Sequence, residues 1–293
     1  MLIEPLNFIA LEPPALRRGD PDTTVWTDNL GTDVAYGATR GGWHWLRVAG
    51  AGSYRFPANG SGRNIVVDVV PENEADLVVD SFYRTVVPMA LQAYGHEILH
   101  GSAVALAGET SGGEATGGQV VAMCAAPGTG KSTIAFAMQR RGARAVADDA
   151  VVIRRGEHGE QWRHQVQPLP FALRLREASA DHFASPAKSE VLVGRGAAVE
   201  APSEPLPLAA VVLLERGESS LTLTPLSAAD AFPALLSQSY AFTMTDGRRK
   251  RAMMANFIGL ARTVPVYRLA YPSGLEHLDA ICAAMEGLMR AAD

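Results

Sequence analysis

The chain has 293 residues, enough for about two domains of ordinary size. Hydrophobic residues make up 47% and charged residues 19%, a composition that supports a sizeable core and excludes a disordered chain. The net charge of −5 argues against nucleic-acid binding, because proteins that bind phosphate backbones usually present a positive surface. Two cysteines are too few for a disulfide framework or a cysteine-rich zinc site.

The sequence carries no evident membrane span or targeting signal. No apolar run approaches the roughly 18 residues of a transmembrane helix. The first residues lack the basic region of a signal peptide and carry Glu4 and Pro5 where its apolar segment would run. We therefore expect a cytoplasmic protein without a membrane partner.

The first 72 residues are rich in glycine and turn-forming residues. Alternating apolar segments at 43–48, 53–56 and 64–70 predict strands of a small antiparallel sheet. Apolar residues then recur at helical spacing, which predicts a helix of about 20 residues between 73 and 94. We therefore expect a β-rich module over residues 1–94, ending in a linking helix, and a second domain over 95–293.

The second part alternates strands and helices, which predicts an α/β fold. Apolar runs at 98–107 and 119–125 predict buried strands on either side of a glycine-rich loop, and the helix after 119–125 ends at Gly142. Further strands are predicted at 144–147, 151–153, 162–166, 171–175, 209–214, 221–224 and 264–269, and further helices at 228–236, 249–261 and 275–291.

Residues 125–132 read A-A-P-G-T-G-K-S, a phosphate-loop pattern with alanine at the first glycine position. Gly128 and Gly130 permit backbone angles that turn successive N–H groups toward a phosphate. Lys131 can neutralise phosphate oxygens at the start of a helix, and Ser132 offers its hydroxyl to Mg²⁺. The loop predicts binding of ATP and Mg²⁺ by Ala126, Pro127, Gly128, Thr129, Gly130, Lys131, Ser132 and Thr133.

Two adjacent acids, Asp148 and Asp149, close a predicted strand 17 and 18 residues after Lys131. In a doubly wound sheet the carboxyl ends of adjacent strands lie beside the phosphate site. One carboxylate there can hold Mg²⁺, and the other can accept a proton from an attacking hydroxyl. The pair favours catalysis over nucleotide binding alone, and the residues leave open which acid has which role.

Residues 96–100 read H-E-I-L-H, the letters of a zinc-protease motif. That motif requires a helix, whereas the residues after His100 predict a strand, so we expect no zinc site. His100 is of more interest as a residue of the phosphate site, because its strand should neighbour the one that leads into the loop.

Arg248, Arg249, Lys250 and Arg251 form the densest basic run in an acidic chain. They open a predicted helix, where positive charge is unfavourable unless an anion lies nearby. A γ-phosphate or an acidic peptide would supply that anion. The alternative is a solvated helix face.

Four segments together resemble the catalytic domain of HPr kinase/phosphorylase, within the broader HPr-kinase-like group that includes kinases encoded with lasso peptides. The resemblance is strong over residues 95–155, and the order and spacing of its motifs agree. They are H-G-S-A-V at 100–104, G-x-G-K-S at 128–132, R-G at 141–142 and V-A-D-D at 146–149.

The resemblance implies a phosphoenolpyruvate-carboxykinase-like P-loop kinase domain and ATP-dependent phosphorylation of a serine hydroxyl. It implies that Lys131 and Ser132 hold the triphosphate and Mg²⁺. It also implies that Asp148 is the base, with His100 as its partner, and that Asp149 is the acid on the metal side. It also makes a homo-oligomer an expectation. The N-terminal 90 residues do not resemble that family's N-terminal domain, which favours an acceptor other than HPr.

Taken together, we expect an ATP/Mg²⁺-dependent kinase acting on a serine of a peptide or protein, for example a ribosomally made peptide such as a lasso peptide. The N-terminal module and the basic run would hold this substrate. One alternative is a small-molecule hydroxyl kinase of the shikimate-kinase type. Another is a non-catalytic ATP-sensing interaction module.

Overall fold

The computed structural model describes most of the chain, in two compact units. One unit comprises Met1–His96 with Ala241–Arg249, and the other comprises Glu97–Tyr240 with Lys250–Asp293. The domain boundary predicted at 94/95 stays a prediction. The residues described are 24–27, 33–38, 42–57, 65–68, 78, 81–105, 110–111, 114–115, 118–158, 161–169, 175, 177–183, 204–240 and 246–290.

The first unit contains a five-stranded antiparallel sheet whose strands follow one another in chain order. The strands predicted at 43–48 and 53–56 are confirmed, the one at 64–70 is shorter, and the first two were not predicted. The strands are β1 (Thr24–Thr27), β2 (Asp33–Ala38), β3 (Trp43–Val48), β4 (Gly52–Pro57) and β5 (Val66–Asp68).

The linking helix is irregular where the structure describes it. A single π-helical turn, Phe82–Val86, leads into α1 (Val87–Ala93). Pro88 stands at the start of α1, where its missing N–H removes one hydrogen bond to the preceding turn. The helix predicted over 73–94 is helical at 78 and over 81–93, with a π-helical turn within it, and most of 73–80 lies outside the described residues.

The second unit is built on an eight-stranded mixed sheet. The strands at 98–107, 119–125 and 144–147 are confirmed to within two residues, and most of the one predicted at 171–175 lies outside the described residues. The strands are β6 (Glu97–Ala105), β9 (Val120–Cys124), β10 (Arg144–Ala147), β11 (Ala150–His158), β12 (Gln161–Gln167), β13 (Leu206–Arg216), β14 (Thr222–Pro225) and β15 (Val266–Tyr271); β7 (Thr110–Ser111) and β8 (Glu114–Ala115) pair separately.

The sheet is mixed rather than doubly wound, the arrangement from which the place of the two acids was argued. Among the described strands of this sheet, β13 pairs in parallel with β9 and with β15, and the other pairs are antiparallel. Strand β6 lies between β9 and β10 and is antiparallel to both. Strands β9 and β10 consequently run in the same direction, so their carboxyl ends reach the same edge of the sheet without being neighbours.

Helices α2 (Lys131–Arg140) and α6 (Leu278–Arg290) pack their apolar side chains into a common core with the sheet. The core is formed mainly by Val121, Met123, Ile134, Met138, Val212, Leu214, Leu269, Ile281 and Met285. The remaining helices are α3 (Glu177–Phe183), which was not predicted, α4 (Ala228–Ser237) and α5 (Gly247–Thr263), with a 3₁₀ turn at Leu275–His277. None of the helices in the described part of the chain is long and apolar enough to cross a membrane.

A fully buried histidine lies in the core of the first unit. The Nδ1 of His44 is 2.7 Å from the hydroxyl of Tyr36, and its ring also contacts Phe56. Its Nε2 is buried and has no hydrogen-bond partner among the described residues. Burial lowers the pKa of His44 from 6.5 to about 4. The neutral imidazole is therefore the form that the fold accommodates.

We expect the free energy of unfolding to fall as the pH drops from about 6.5 to about 4, because unfolded His44 takes up a proton that folded His44 resists. The lowered pKa of His44 adds about 3 kcal/mol to the free energy of unfolding. This stabilisation is fully present above pH 6.5 and is lost as the pH falls toward 4. Urea unfolding of the parent and of His44→Gln over this pH range measures it. Since glutamine can still bond to Tyr36 and does not titrate, the two pH profiles should diverge below pH 6.5; parallel profiles would contradict the assignment.

Candidate functional site

The phosphate-loop pattern forms a turn between β9 and α2. Gly128 and Gly130 have φ of 81° and 118°, in the left-handed region that side chains disfavour. Thr129 closes the turn through its N–H and hydroxyl, which both donate to the Ala126 carbonyl at 3.3 Å and 2.8 Å. Gly130 caps α2, accepting from Ile134 N–H at 2.9 Å. The loop therefore has the glycine geometry that the sequence predicted.

Lys131 is buried at the first turn of α2. Its Nζ donates to the carbonyls of Ala125 and Ala126 at 2.9 Å and 3.3 Å. The ammonium group thus lies against the loop rather than in solvent. An anion that enters the loop meets a positive charge already held there by the backbone.

A tyrosine at the end of a sheet strand, which the sequence analysis did not identify, forms a hydrogen bond to the loop. Tyr271, at the end of β15, donates its hydroxyl to the Thr129 carbonyl at 2.8 Å. Burial raises the pKa of Tyr271 to about 12, so the donor proton is retained at neutral pH. At the other end of the loop, the Thr133 hydroxyl lies 3.0 Å from that of Ser179 on α3.

Asp148 is buried and accepts hydrogen bonds from two serines. Its Oδ1 accepts from Ser102 Oγ of β6 at 2.7 Å and from Ser132 Oγ of α2 at 2.8 Å. Ser132 uses its proton in this bond, and its lone pairs remain available as oxygen ligands. The carboxylate and the loop hydroxyl thus present oxygen atoms side by side, the donor type that Mg²⁺ prefers.

Asp149 occupies a strained turn. Its φ is 64°, the only positive value at a non-glycine residue in the described part of the chain. Ala150 N–H donates to the Asp148 carbonyl at 2.9 Å, closing a three-residue turn of the rare strained kind. The Asp149 carbonyl accepts from Gly101 N–H at 3.2 Å. A side chain at Gly101 would lie 2.4 Å from the Met123 carbonyl oxygen, so β6 needs glycine where it passes between its neighbours.

His100 lies on β6 one residue before Gly101, and its ring stacks on Tyr240 with centroids 5.8 Å apart. Burial lowers the pKa of His100, the charge of Lys131 lowers it further, and the charge of Asp149 acts in the opposite direction. His100 is consequently neutral at neutral pH. Glu97–His100 forms extended strand, so the H-E-I-L-H letters lack the helix that a zinc protease requires.

The basic run, residues 248–251, lies in the first turn of α5. The negative charge next to it comes from the chain itself, from Asp246. The carboxylate of Asp246 accepts from the backbone N–H groups of Arg248 and Arg249 at 3.0 Å and 3.3 Å. The Arg249 side chain donates to the carbonyls of Gln92 and His96 at 3.0 Å and 2.6 Å. Arg249 is thereby engaged in the first unit, while Arg248, Lys250 and Arg251 are exposed. Their contact with a phosphate or peptide stays a prediction.

No family model and no curated protein sequence matches this chain. Among solved structures, it is similar to the Hpr(Ser) kinase/phosphatase from Coxiella burnetii, with 11% sequence identity and a TM-score of 0.32. The match covers 66% of this chain and 88% of that one. Because the relationship is distant, we infer function from the side chains of the site.

We expect Asp149→Gly to unfold at the same temperature as the parent or a few degrees higher, because glycine adopts a positive φ without strain. Ala150→Gly is the matched control in the adjoining strand; there glycine should lower stability by about 1 kcal/mol. The unfolding temperatures of both variants and of the parent measure the difference. Equal losses of stability would contradict the strain assigned to Asp149.

Proposed function

We propose that the protein is an ATP- and Mg²⁺-dependent phosphotransferase that phosphorylates a hydroxyl group, with a serine of a peptide or protein as its acceptor. The observation that carries this proposal is the hydrogen bond between Ser132, the hydroxyl of the phosphate loop, and the buried carboxylate of Asp148. Ser132 directly follows the buried Lys131 at the start of a helix.

The loop suits a triphosphate. Two glycines with positive φ let backbone N–H groups converge, and the N-terminus of α2 adds its positive dipole. Lys131 supplies a full charge beside them. Its two carbonyl partners are exchangeable for phosphate oxygens, since charge-assisted hydrogen bonds to anions are stronger than those to neutral carbonyls.

Ser132 and Asp148 are the residues that would hold Mg²⁺. When bound, the metal supplies neutralisation of the charge on the transferring phosphate. This assignment reverses the roles that the sequence resemblance implied for the two acids. The reason is the contact with Ser132, because a carboxylate bonded to the loop hydroxyl occupies the metal side of such sites.

Asp149 is then the proton acceptor. The attacking serine oxygen forms a bond to the γ-phosphorus while the bond from that phosphorus to the β,γ-bridging oxygen breaks, and ADP leaves. The hydroxyl proton passes to the Asp149 carboxylate. His100 lies within electrostatic reach of both Asp149 and Lys131. As a neutral ring it can share a hydrogen bond without adding charge.

The acceptor class rests on the sequence resemblance. Exposed Arg248, Lys250 and Arg251 would suit an acidic peptide. A small-molecule hydroxyl kinase would use the same loop and acids, so the acceptor has to be identified by experiment. Transfer of label from γ-³²P ATP to serine-containing peptide libraries, with threonine and tyrosine libraries in parallel, supports the proposal if serine is labelled first. Label found only on small alcohols would replace the peptide by the small-molecule acceptor.

The two isosteric variants Asp148→Asn and Asp149→Asn separate the proposed roles. Asp149→Asn should lower kcat by about 10²–10⁴ with little change in ATP affinity, the usual effect of losing a positioned base. Asp148→Asn should chiefly raise the Mg²⁺ concentration needed for half-maximal rate. Lys131→Ala serves as the control that loses both ATP binding and turnover.

Steady-state rates against Mg²⁺ concentration, with calorimetric ATP binding, distinguish these patterns. The opposite result, a base-like loss for Asp148→Asn and a metal-like loss for Asp149→Asn, would restore the roles implied by the resemblance. ATP binding that survives in Lys131→Ala would contradict the phosphate-loop assignment. A parent protein that binds ATP but never turns it over would favour the sensing module.

A further inference from the structure

A short segment after α4 fills the side of β6 that β9 leaves open. Strand β9 pairs with β6 only from Gly101 onward. Before that point, residues 238–240 run antiparallel beside β6, with a bridge between Leu99 and Ser239. His100 N–H donates to the Gln238 carbonyl at 2.7 Å, and Tyr240 N–H donates to the Ile98 carbonyl at 3.0 Å. The backbone of Tyr240 is thereby fixed beside His100.

The side chain of Tyr240 crosses β6 from the 238–240 segment on one side to Asp149 on the other. Tyr240 faces Ile98 in this register, so it lies diagonally to His100, within reach of an aromatic ring. Its ring stacks on His100 at an interplanar angle of 24°. Its hydroxyl donates to the Asp149 carbonyl at 3.2 Å, on the far side of β6. One residue thus touches both groups beside the proposed proton path.

We propose that Tyr240 is a positioning residue that holds Asp149 and His100 in a fixed relation to each other. The catalytic part of this inference rests on the proposed function, whereas the contacts of Tyr240 with the His100 ring and the Asp149 carbonyl do not. Asp149 has a strained φ, and two donors, Gly101 N–H and the Tyr240 hydroxyl, hold its carbonyl in that conformation. Without the hydroxyl the turn can relax and swing the carboxylate away.

Tyr271 is the natural comparison, because it makes the same kind of bond elsewhere in the site. Its hydroxyl donates to the Thr129 carbonyl of the phosphate loop. Tyr271 therefore supports nucleotide binding, and Tyr240 supports proton transfer. Removing each hydroxyl should affect different kinetic constants.

The test compares three phenylalanine variants by calorimetric ATP binding and by the rate of phosphate transfer from γ-³²P ATP to the serine-containing peptides. Tyr240→Phe should lower kcat about tenfold while the Kd for ATP stays within about twofold. Tyr271→Phe should raise that Kd severalfold with a smaller effect on kcat. Tyr94→Phe is the control, since its buried hydroxyl has no hydrogen-bond partner among the described residues, and it should change neither constant. A kcat for Tyr240→Phe within twofold of the parent would overturn the positioning role.

A second measurement does not depend on activity. The ring protons of His100 are observed by NMR at one fixed pH in the parent, Tyr240→Phe and Tyr240→Leu. We expect phenylalanine to preserve the ring-current shift of the stacked pair and leucine to abolish it. Unchanged His100 signals in Tyr240→Leu would overturn the placement. If the parent transfers phosphate from ATP to no hydroxyl acceptor, the proposed function fails, while this measurement still decides whether Tyr240 covers His100.

Discussion

The arrangement of the candidate site depends on the hydrogen bonds accepted by the Oδ1 atom of Asp148. Two serine hydroxyls donate to it, one from β6 and one from the first turn of α2. This links the residue after β10, strand β6 and the first turn of α2 through one buried oxygen. Because buried polar groups are costly when unpaired, each of the three depends on the other two. Ser132 follows Gly130 and Lys131 at the start of α2, so this bond also anchors the helix end that carries them.

The adjacent acids differ because the backbone turns between them. Strands β10 and β11 pair with the same edge of β6, Ala147 facing Ala103 and Ala150 facing His100. The intervening turn carries Asp148 toward Ser102 and Ser132, while the Asp149 carbonyl is bound by Gly101 and Tyr240. Neighbouring carboxylates in different environments can take different chemical roles, as acid–base pairs in enzymes do. The positive φ of Asp149 is part of the turn that separates the two environments.

Local patterns were sufficient for the loop, for the strand and helix that flank it, and for β10, because glycine spacing and apolar runs are readable over a few residues. The strand order of the sheet could not be predicted, since an apolar run does not encode which strand lies beside it. Ser102, Tyr240 and Tyr271 were missed for a related reason: their partners are 46, 91 and 142 residues away. Asp246 could have been recognised as the helix cap ahead of the basic run.

The claim that Ser132 and Asp148 form the metal side of a nucleotide site is tested most directly by locating the metal. A crystal structure with Mn²⁺ and a non-hydrolysable ATP analogue, with anomalous scattering recorded for manganese, gives that position. We expect the triphosphate in the loop over residues 125–132, with the manganese peak within about 2.3 Å of Ser132 Oγ and closer to Asp148 than to Asp149. A triphosphate bound elsewhere, or a manganese ion coordinated by Asp149 and distant from Ser132, would contradict the assignment.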